Sequence, residues 1–371
     1  MKNLYFIVSW AKNKAQTWSG TCFGLYNSLS KYFKVEDINI NEDKIPSIKR
    51  RWNKYLGKIY NIKYNLSVKG TLNNRLILTN LIQQKEPGIV FQFSEAFLDL
   101  KDYPSYIFQD LSQVHVEYLS KHNRSIFKYS GFYQFKESDI KKRADMQQEY
   151  YKRCKGIFTM GEWCKEDIIN RCGISPDKVH AVGGGINLDV NLIKPMNRMN
   201  NKILFVGKDF KRKGGYIVYE AFKLLKREIQ NLELYVAGPN SNPIDSPING
   251  YYYMGYCDYK QLSTLFNKCD IFCMPSYFEA YGLVFIEALC YGLPCIGRNV
   301  YEMPYFIKEG ENGYLLHNDD PHELSLLIRK LINDKQIKQN VLSQRDEYIK
   351  EYSWDNVALK IANIIDKDTN Y

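Results

Sequence analysis

The sequence predicts an α/β protein with two parallel, doubly wound sheets, one in each half of its 371 residues. Short apolar segments alternate with amphipathic segments in both halves, which is typical of parallel strands joined by helices. The chain is also longer than one ordinary domain. Residues 189–200, which contain a proline and several asparagines, interrupt the alternation and predict a linker between two domains.

The first half begins with a strand, a glycine loop and a helix. The apolar segment Leu4–Val8 is followed by a polar loop containing Ser19 and Gly20, and then by apolar residues at helical spacing over Phe23–Phe33. Residues 118–150 are charged and aromatic and match neither pattern. The other predicted elements are strands Ile89–Phe91, Tyr106–Phe108, Gly156–Met160 and Lys178–Val182 and helix Trp163–Cys172.

The second half repeats this rhythm after the linker. Two sheets of this kind leave a cleft between them, which is a common place for a ligand. The predicted strands are Lys202–Val206, Leu232–Ala237, Ile271–Met274 and Pro294–Gly297, and the predicted helices are Tyr216–Glu228, Tyr259–Asn267, Leu283–Tyr291 and Pro321–Asn333.

Composition excludes several classes of protein. Apolar residues make up 45% of the chain and charged residues 25%, the balance of a protein with buried cores. No apolar run approaches the roughly 18 residues that span a bilayer, and the N-terminal segment lacks a signal-peptide cleavage site. The nine cysteines contain no CxxC pair, and the five histidines have no metal-ligand spacing. We therefore expect reduced thiols and a cytoplasmic location.

The positive charge is concentrated in the first half. Residues 1–198 contain 31 Lys and Arg against 19 Asp and Glu, whereas residues 199–371 contain 20 against 22. Such asymmetry indicates an anionic partner, or else a generally solubilising surface. No nucleic-acid-binding motif is present, so we expect no nucleic acid. An anionic membrane or a phosphate-carrying acceptor is left, with the basic runs Lys49–Lys54 and Lys141–Arg143 as candidate contacts.

The loop 207–215 is the first stretch with a chemical character. It follows a predicted strand and contains Lys208, Arg212 and Lys213 before two glycines open a helix. Fixed cations beside a helix N-terminus suit a diphosphate. The loop is not a P-loop, because the GxxxxGK[ST] pattern is absent. Taken alone, it could equally be a solvated turn.

The second stretch places two glutamates around a predicted helix start. Glu279 lies in the loop after strand Ile271–Met274, and Gly282 precedes the helix that contains Glu287. The first-turn amides of a helix favour an anionic phosphate. Leu283 and Glu287 are four residues apart and share one helix face, which directs Glu287 towards a ribose beyond the phosphate. The alternative is an amphipathic helix whose glutamates face solvent.

Together these stretches resemble the donor domain of the retaining glycosyltransferases of family 4, which have the GT-B fold. Glu279 and Glu287 match the E-x7-E motif of that family, and Arg212-Lys213-Gly214 matches its basic pair before glycine. Lys208 stands where many members have arginine. The chain departs from the family pattern at Tyr305, where many members have a glutamate after proline.

The resemblance covers roughly residues 156–365 and implies two Rossmann-like α/β/α domains that face each other across a cleft. Residues 1–190 would bind the acceptor and residues 199–352 the donor. The segment Tyr352–Trp354 resembles the opening of the family's last helix, so residues 354–366 would pack back on the first domain. Before residue 150 the match is limited to the strand pattern and the Ser19-Gly20 loop.

The resemblance also implies which residues bind the donor phosphates. Lys213 and Arg212 would neutralise the diphosphate with help from Lys208, and the backbone amides near Gly282 and Leu283 would hold the distal phosphate. Charge on the departing diphosphate is what such an enzyme must stabilise, so these groups would supply much of the catalysis. No dedicated base is required.

The two glutamates would then divide the rest of the donor. The resemblance implies that Glu287 binds the ribose hydroxyls and that Glu279 contacts the transferred sugar. Glu279, Lys213 and Arg212 form the predicted catalytic set, and the nucleoside diphosphate-sugar is a substrate, so no cofactor is expected.

Some features give weaker signals. Asp110 and His115 follow strand Tyr106–Phe108 and could line the acceptor side of the cleft, although an aspartate after a strand is also a common helix cap. The segment Asp366–Asp368 has the DxD form of a metal motif, but its polar surroundings predict a solvated tail. We therefore expect no metal ion.

These observations predict a retaining, metal-independent transferase that moves a hexose-type sugar from a nucleoside diphosphate-sugar to a glycan acceptor. The resemblance to the family and the charge asymmetry favour a lipid-linked acceptor in bacterial surface polysaccharide synthesis. They also favour a peripheral contact of the protein with the inner face of the plasma membrane. Two alternatives stay open. One is a sugar-nucleotide epimerase of similar fold, and the other is a non-catalytic sugar-nucleotide-binding partner in a glycan-synthesis complex.

Overall fold

The structure is a computed structural model, and it describes residues 1–40, 67–93, 96–194 and 201–369. The chain divides into two compact units, one formed by Met1–Gly185 with Trp354–Tyr371 and the other by Ile186–Ser353. Each unit contains one parallel sheet with helices. The predicted α/β class with two Rossmann-like domains is therefore confirmed.

The first unit is built on six strands: β1 (Asn3–Val8), β2 (Lys34–Asn39), β3 (Ile89–Phe93), β4 (Ser105–Gln109), β5 (Gly156–Thr159) and β6 (Val179–Ala181). All neighbouring strands are parallel, and their order is β2-β1-β3-β4-β5-β6. Strands β3 and β4 are buried along their whole length, which is why they appear in the sequence as continuous apolar runs.

In the described part of the first unit, the helices before the linker are α1 (Thr21–Leu29), α2 (Val68–Ile82), α3 (Gln113–His122), α4 (Arg124–Phe127), α5 (Glu137–Arg153) and α6 (Glu162–Cys172). Residues 118–150, which match no sequence pattern, lie in α3, α4, α5 and their connections. Helix α5 is polar on average, yet it buries Tyr150 and Tyr151 against the sheet, because a few apolar positions recur on one helix face.

The second unit also has six strands: β7 (Lys202–Val206), β8 (Glu233–Ala237), β9 (Tyr251–Gly255), β10 (Ile271–Cys273), β11 (Cys295–Arg298) and β12 (Gly313–Leu316). Their order is β12-β11-β10-β7-β8-β9, and every neighbouring pair is parallel. The helices are α7 (Gly215–Lys226), α8 (Tyr259–Lys268), α9 (Leu283–Cys290), α10 (Met303–Phe306), α11 (Pro321–Asn333), α12 (Lys335–Ser343) and α13 (Arg345–Glu351).

The last helix, α14 (Trp354–Thr369), belongs to the first unit and packs on α1. Its first residue, Trp354, is seated against two glycines. A Cβ atom added at Gly24 would lie 2.3 Å from the Trp354 ring, and one added at Gly185 would lie 2.5 Å from it. Only glycine leaves room for the indole at these positions. The predicted return of the last helix to the first domain is confirmed.

The strand order of the second unit brings two loops together. Strand β7 lies between β8 and β10, so the connections that leave β7 and β10 begin side by side at the same edge of the sheet. The carboxyl ends of parallel strands at such a switch point are the usual ligand-binding place in open α/β sheets. The loop after β7 carries the basic residues, and the loop after β10 carries Glu279.

Candidate active site

Two glycines allow the basic loop to approach its neighbours closely. Gly214 has φ +78°, and a Cβ atom there would lie 2.4 Å from the carbonyl oxygen of Pro275 in the loop after β10. A Cβ atom at Gly207 would lie 2.2 Å from the side chain of Lys213. The Lys213 side chain therefore runs over bare backbone, and the two loops touch at Gly214.

Hydrogen bonds then join the two loops. The carbonyl oxygen of Arg212 accepts from the backbone N–H of Tyr277 at 2.9 Å and from the hydroxyl of Ser276 at 3.3 Å. The guanidinium of Arg212 donates to the carbonyl oxygen of Phe278. Because these contacts involve backbone groups on both sides, the relative position of the loops is set without any ligand.

The joined loops bring two cations to one carboxylate. Lys213 Nζ lies 2.8 Å from Glu279 Oε2, and Arg212 Nη1 lies 3.4 Å from the same oxygen. The Glu279 side chain is 14% exposed. Burial by itself raises the pKa of Glu279, but the charges and hydrogen bonds of Lys213 and Arg212 outweigh burial and hold that pKa below its ordinary value. Glu279 is thus ionised beside the two cations, and Arg212 Nε also lies 3.5 Å from Asp209 Oδ2.

The second glutamate lies in a different environment. Glu287 is on α9, is 7% exposed and accepts a hydrogen bond from the backbone N–H of Asn187. Burial raises its pKa to about 7, although Asn187 and the charge of Lys213 act in the opposite direction. The amphipathic-helix alternative required Glu287 to face solvent, and the structure shows it buried instead. Glu287 is therefore a desolvated carboxyl group whose pKa lies close to neutral pH.

Helix α9 begins beside Glu279. Gly282 caps it with φ +98°, and a Cβ atom at Gly282 would lie 3.1 Å from Glu279 Cγ. Helix α9 starts at Leu283. Because the preceding Gly282 has no side chain, only its backbone lies beside Glu279. The helix start, Glu279 and the two cations of the basic loop therefore lie together.

Lys208 lies at the rim of this group. Its ammonium is 5.7 Å from the centre of the Tyr256 ring, a cation–π contact with the loop that follows β9. This contact directs the Lys208 side chain towards the β9 end of the sheet edge. Its assisting role in phosphate binding stays a prediction.

Sequence reasoning missed one cluster at the same sheet edge. Arg298, the last residue of β11, donates to the carbonyl oxygen of Pro275 at 3.2 Å and pairs with Asp319 at 2.9 Å. Its guanidinium lies 4.2 Å from the ring centre of Tyr277. The signal that could have found it is a charged residue directly after the apolar strand Pro294–Gly297, where a parallel sheet places functional side chains.

The predicted acceptor residues occupy the first unit. Ser19 and Gly20 both have positive φ, 56° and 92°, at the turn that leads into α1. Asp110 directly follows β4, at the carboxyl edge of the first sheet. His115 does not fit the expectation of a cleft residue. It is 6% exposed, and its Nδ1 lies 2.9 Å from Asp167, so it fixes α3 to α6.

The interpretation of the run Lys141–Arg143 as a membrane contact is corrected at Arg143. Arg143 is 1% exposed and donates to Thr71, so it cannot serve as a membrane contact, and Lys141 pairs with Asp145 on its own helix. The companion run 49–54 lies outside the described residues.

The C-terminal DxD segment is not simply solvated. Tyr106 donates to Asp368 at 3.0 Å and Lys2 to Asp366 at 2.9 Å. Among the residues that the structure describes, no group of three His, Cys, Asp or Glu side chains lies close enough together to hold a metal ion. Within the same ranges, no helix is both long and apolar enough to cross a membrane.

Comparison with known proteins agrees with this geometry. Residues 193–353 match the family model described as Glycosyl transferases group 1. The uncharacterized glycosyltransferase MJ1607 of Methanocaldococcus jannaschii is 26% identical over 277 residues, which cover 66% of this chain and 67% of that protein. The D-inositol 3-phosphate glycosyltransferase of Corynebacterium glutamicum is 25% identical over 228 residues, 54% of each chain. Apart from MJ1607, the chain spans about half the length or less of most of the curated relatives it matches.

Solved structures share the fold over the whole chain. HepE of Anabaena in complex with UDP-glucose superposes with a TM-score of 0.67 and 12% identity, covering 99% of this chain and 100% of that one. WaaG, a glycosyltransferase involved in lipopolysaccharide biosynthesis, gives a TM-score of 0.65 at 15% identity, covering 98% and 99%. At such identities these likenesses establish the architecture alone.

The chain has the fold of the GT-B glycosyltransferases to which it is similar. Residues 193–353, which lie in the second unit, are similar to the glycosyl transferases group 1.

Proposed function

We propose that the chain is a retaining hexosyltransferase that uses a nucleoside diphosphate-sugar. The observation that carries this proposal is the contact of Lys213 and Arg212 with Glu279 at the carboxyl edge of the second sheet. It brings two cations suited to a diphosphate within 3.4 Å of a carboxylate suited to sugar hydroxyls. The group 1 match contains all three residues.

The donor diphosphate would bind at the two cations. An incoming diphosphate attracts Lys213 and Arg212 and competes with Glu279 for them. The first-turn amides of α9, at Gly282 and Leu283, would hold the distal phosphate. Because the cations are already held in place by the loop contacts, little reorganisation is needed as charge develops on the leaving diphosphate.

The two glutamates would bind opposite ends of the donor. With phosphate sharing the charge of Lys213, Glu279 would accept hydrogen bonds from hydroxyls of the transferred sugar while Lys213 stays in place. Glu287, which already accepts from the Asn187 N–H, would accept from the ribose hydroxyls. A pair of vicinal hydroxyls and a buried carboxylate make charge-assisted hydrogen bonds, which are about twice as strong as neutral ones.

The acceptor would bind to the first unit, through the Ser19-Gly20 turn and Asp110. We propose a glycan acceptor on a lipid carrier, with peripheral contact to an anionic membrane. Two facts support this acceptor. The excess of positive charge lies in residues 1–198, and WaaG, which has a similar fold, is involved in lipopolysaccharide biosynthesis. The reaction is proposed to be independent of metal ions.

A donor panel tests the proposal. UDP-glucose, UDP-N-acetylglucosamine and GDP-mannose are incubated with the protein, and release of the nucleoside diphosphate is measured with and without EDTA. Glu279→Gln and Lys213→Ala should lower kcat/KM by about 10²–10³-fold, the range for loss of one preorganised electrostatic group. Lys330→Ala, which removes a cation from Tyr314 elsewhere in the unit, is the matched control.

Two outcomes would count against the assignment. Full activity in both site variants would mean that the cluster is not the donor site. Interconversion of donor sugars without release of nucleoside diphosphate would favour the epimerase alternative instead. Retention is checked separately, by reading the anomeric configuration of the first product by NMR.

A further inference from the structure

We propose that Arg298, acting with Tyr277 and Asp319, is a positioning residue that holds Glu279 at the donor sugar. These three residues are called the Arg298 brace below. The inference rests on the proposed function. It adds to that function, because Arg298, Tyr277 and Asp319 do not belong to the motifs that indicated the site.

The brace is anchored on a buried guanidinium. Arg298 is 8% exposed, and its Nε donates to the carbonyl oxygen of Pro275 at 3.2 Å while Nη2 lies 2.9 Å from Asp319 Oδ1. A buried cation is costly unless its donors are satisfied. These two acceptors therefore tie Pro275, where the loop after β10 begins, to the end of β11.

Tyr277 closes the brace into a ring of contacts. Its aromatic ring stacks on Arg298 at 4.2 Å, and its hydroxyl donates to the carboxylate of Asp319, with oxygens at 2.8 and 2.9 Å. Each of the three side chains thus touches the other two. A closed set of three contacts restricts Tyr277 more than a single hydrogen bond could, since no member can turn without breaking two contacts.

The same tyrosine reaches the catalytic cluster through its backbone. The Tyr277 N–H donates to the carbonyl oxygen of Arg212 at 2.9 Å, and Glu279 follows only two residues later. The brace therefore holds the loop at a point two residues before Glu279. Because protein acceptors engage the Nε and Nη2 groups of Arg298, we assign the residue a role that acts through Glu279.

Small displacements matter at such a site. An error of about 1 Å in the placement of a catalytic group can cost roughly 10²-fold in rate. The loop that carries Glu279 has no regular secondary structure between β10 and α9. Besides the backbone hydrogen bond of Tyr277 to Arg212, the Arg298 brace supplies side-chain contacts near the start of the loop.

The test is a double-mutant cycle. Arg298→Gln, Glu279→Gln and the double variant are compared with wild type, with UDP-glucose as the first probe and then the other two donors of the panel. Arg298→Lys is the conservative variant, and Arg329→Gln is the matched control, because Arg329 forms an Arg–carboxylate pair with Glu228 at 2.6 Å in the same unit. Initial rates, UDP affinity by calorimetry and thermal midpoints are recorded for each.

A positioning role predicts a specific pattern. Arg298→Gln should lower kcat by about 10²-fold while the Kd for UDP, which lacks the sugar, changes less than about threefold. The same substitution should lower kcat by no more than about threefold in the Glu279→Gln background, since its effect is transmitted through Glu279. Arg298→Lys should recover part of the rate, and Arg329→Gln should leave kcat unchanged.

Three results would overturn the inference. These are a wild-type rate in Arg298→Gln, losses that multiply in the double variant, or a fall in UDP affinity parallel to the fall in rate. If Arg298→Gln does not fold, Tyr277→Phe keeps the stacked ring and removes only the Asp319 contact, and the same cycle is run with it. Failure of the proposed function looks different, because wild type then releases no nucleoside diphosphate or Glu279→Gln is fully active.

Discussion

At the scale of single residues, Glu279 and Glu287 are one motif in the sequence and two different groups in the structure. Lys213 and Arg212 hold the pKa of Glu279 below its ordinary value, whereas burial raises the pKa of Glu287 to about 7. A residue in direct contact with two cations is ionised at any physiological pH. A residue in a desolvated pocket is only about half ionised near pH 7.

The raised pKa of Glu287 implies that this residue destabilises the fold when ionised. The folded-state pKa lies above the ordinary value of 4.5, so folding binds a proton between these values, and stability is lost as pH rises from about 4.5 to about 7. Glu287→Gln removes this effect. Its free energy of unfolding should exceed that of wild type by about 3 kcal/mol at pH 8 and differ little from it at pH 4. Urea unfolding at both pH values measures this.

The same variant should bind donor less well, because an amide offers the ribose a neutral acceptor in place of a charged one. A gain in stability together with a loss in UDP affinity is the expected signature of a residue kept for function. Equal stability of Glu287→Gln and wild type at pH 8 would contradict the burial argument.

At the scale of elements, the site depends on how closely two loops approach each other. Gly214 combines a positive φ with the contact to Pro275. Gly310 has nearly the same φ, +77°, but among the described residues no atom lies within 4 Å of the point that a Cβ atom would occupy there. Substitutions at these two glycines therefore distinguish the effect of backbone strain from the effect of the contact between the loops.

Gly214→Ala and Gly310→Ala form a matched pair. Both should lose about 1 kcal/mol of unfolding free energy from the left-handed backbone. Gly214→Ala must in addition push Pro275 away, so we expect a larger loss of stability and a fall in kcat/KM of at least about tenfold, comparable to other small displacements of catalytic groups. Equal effects of the two substitutions on the rate would show that the loop contact is not needed.

Element prediction from sequence succeeded where burial is complete. Strands β7, β8 and β10 are apolar runs, and their predicted and observed bounds differ by only a residue or so. Strand β2, with the sequence KVEDIN, alternates exposure at the sheet edge and was not predicted. Strand β9 lies at an edge of the second sheet and reads as a tyrosine-rich loop. These two edge strands lack a continuous apolar signal, because several of their positions are exposed.

The same limit applies to the site. The motif spacing correctly predicted that Gly282 opens a helix and that Glu279 lies in the loop before it. It did not predict the ion pair of Glu279 with Lys213, or the Arg298 brace, because these join loops that are 66 and 23 residues apart. Such contacts arise from the strand order β11-β10-β7, which local patterns do not contain.

At the scale of the whole molecule, charge is divided between regions with different tasks. The excess of Lys and Arg lies in residues 1–198, while residues 199–371 are close to neutral. The donor site that we propose in the second unit uses only a few placed cations, such as Lys213 and Arg212. An excess spread over the first part of the chain has no such use and fits a partner with many negative charges, such as an anionic bilayer.

Membrane contact can be tested by flotation with liposomes. Wild type should float with vesicles containing phosphatidylglycerol and not with pure phosphatidylcholine, and 0.5 M salt should abolish the association, because the Debye length falls to about 4 Å. Replacing the four cations of the run 49–54 by glutamine should weaken binding at roughly 1 kcal/mol per charge near the surface. A control with four exposed lysines of the second unit replaced, Lys308, Lys330, Lys335 and Lys350, should float like wild type.

If both quadruple variants lose binding equally, net charge alone is responsible and the first part of the chain has no special role. If wild type stays with the unbound fraction at physiological salt, the acceptor must be reached without a bilayer contact of this kind.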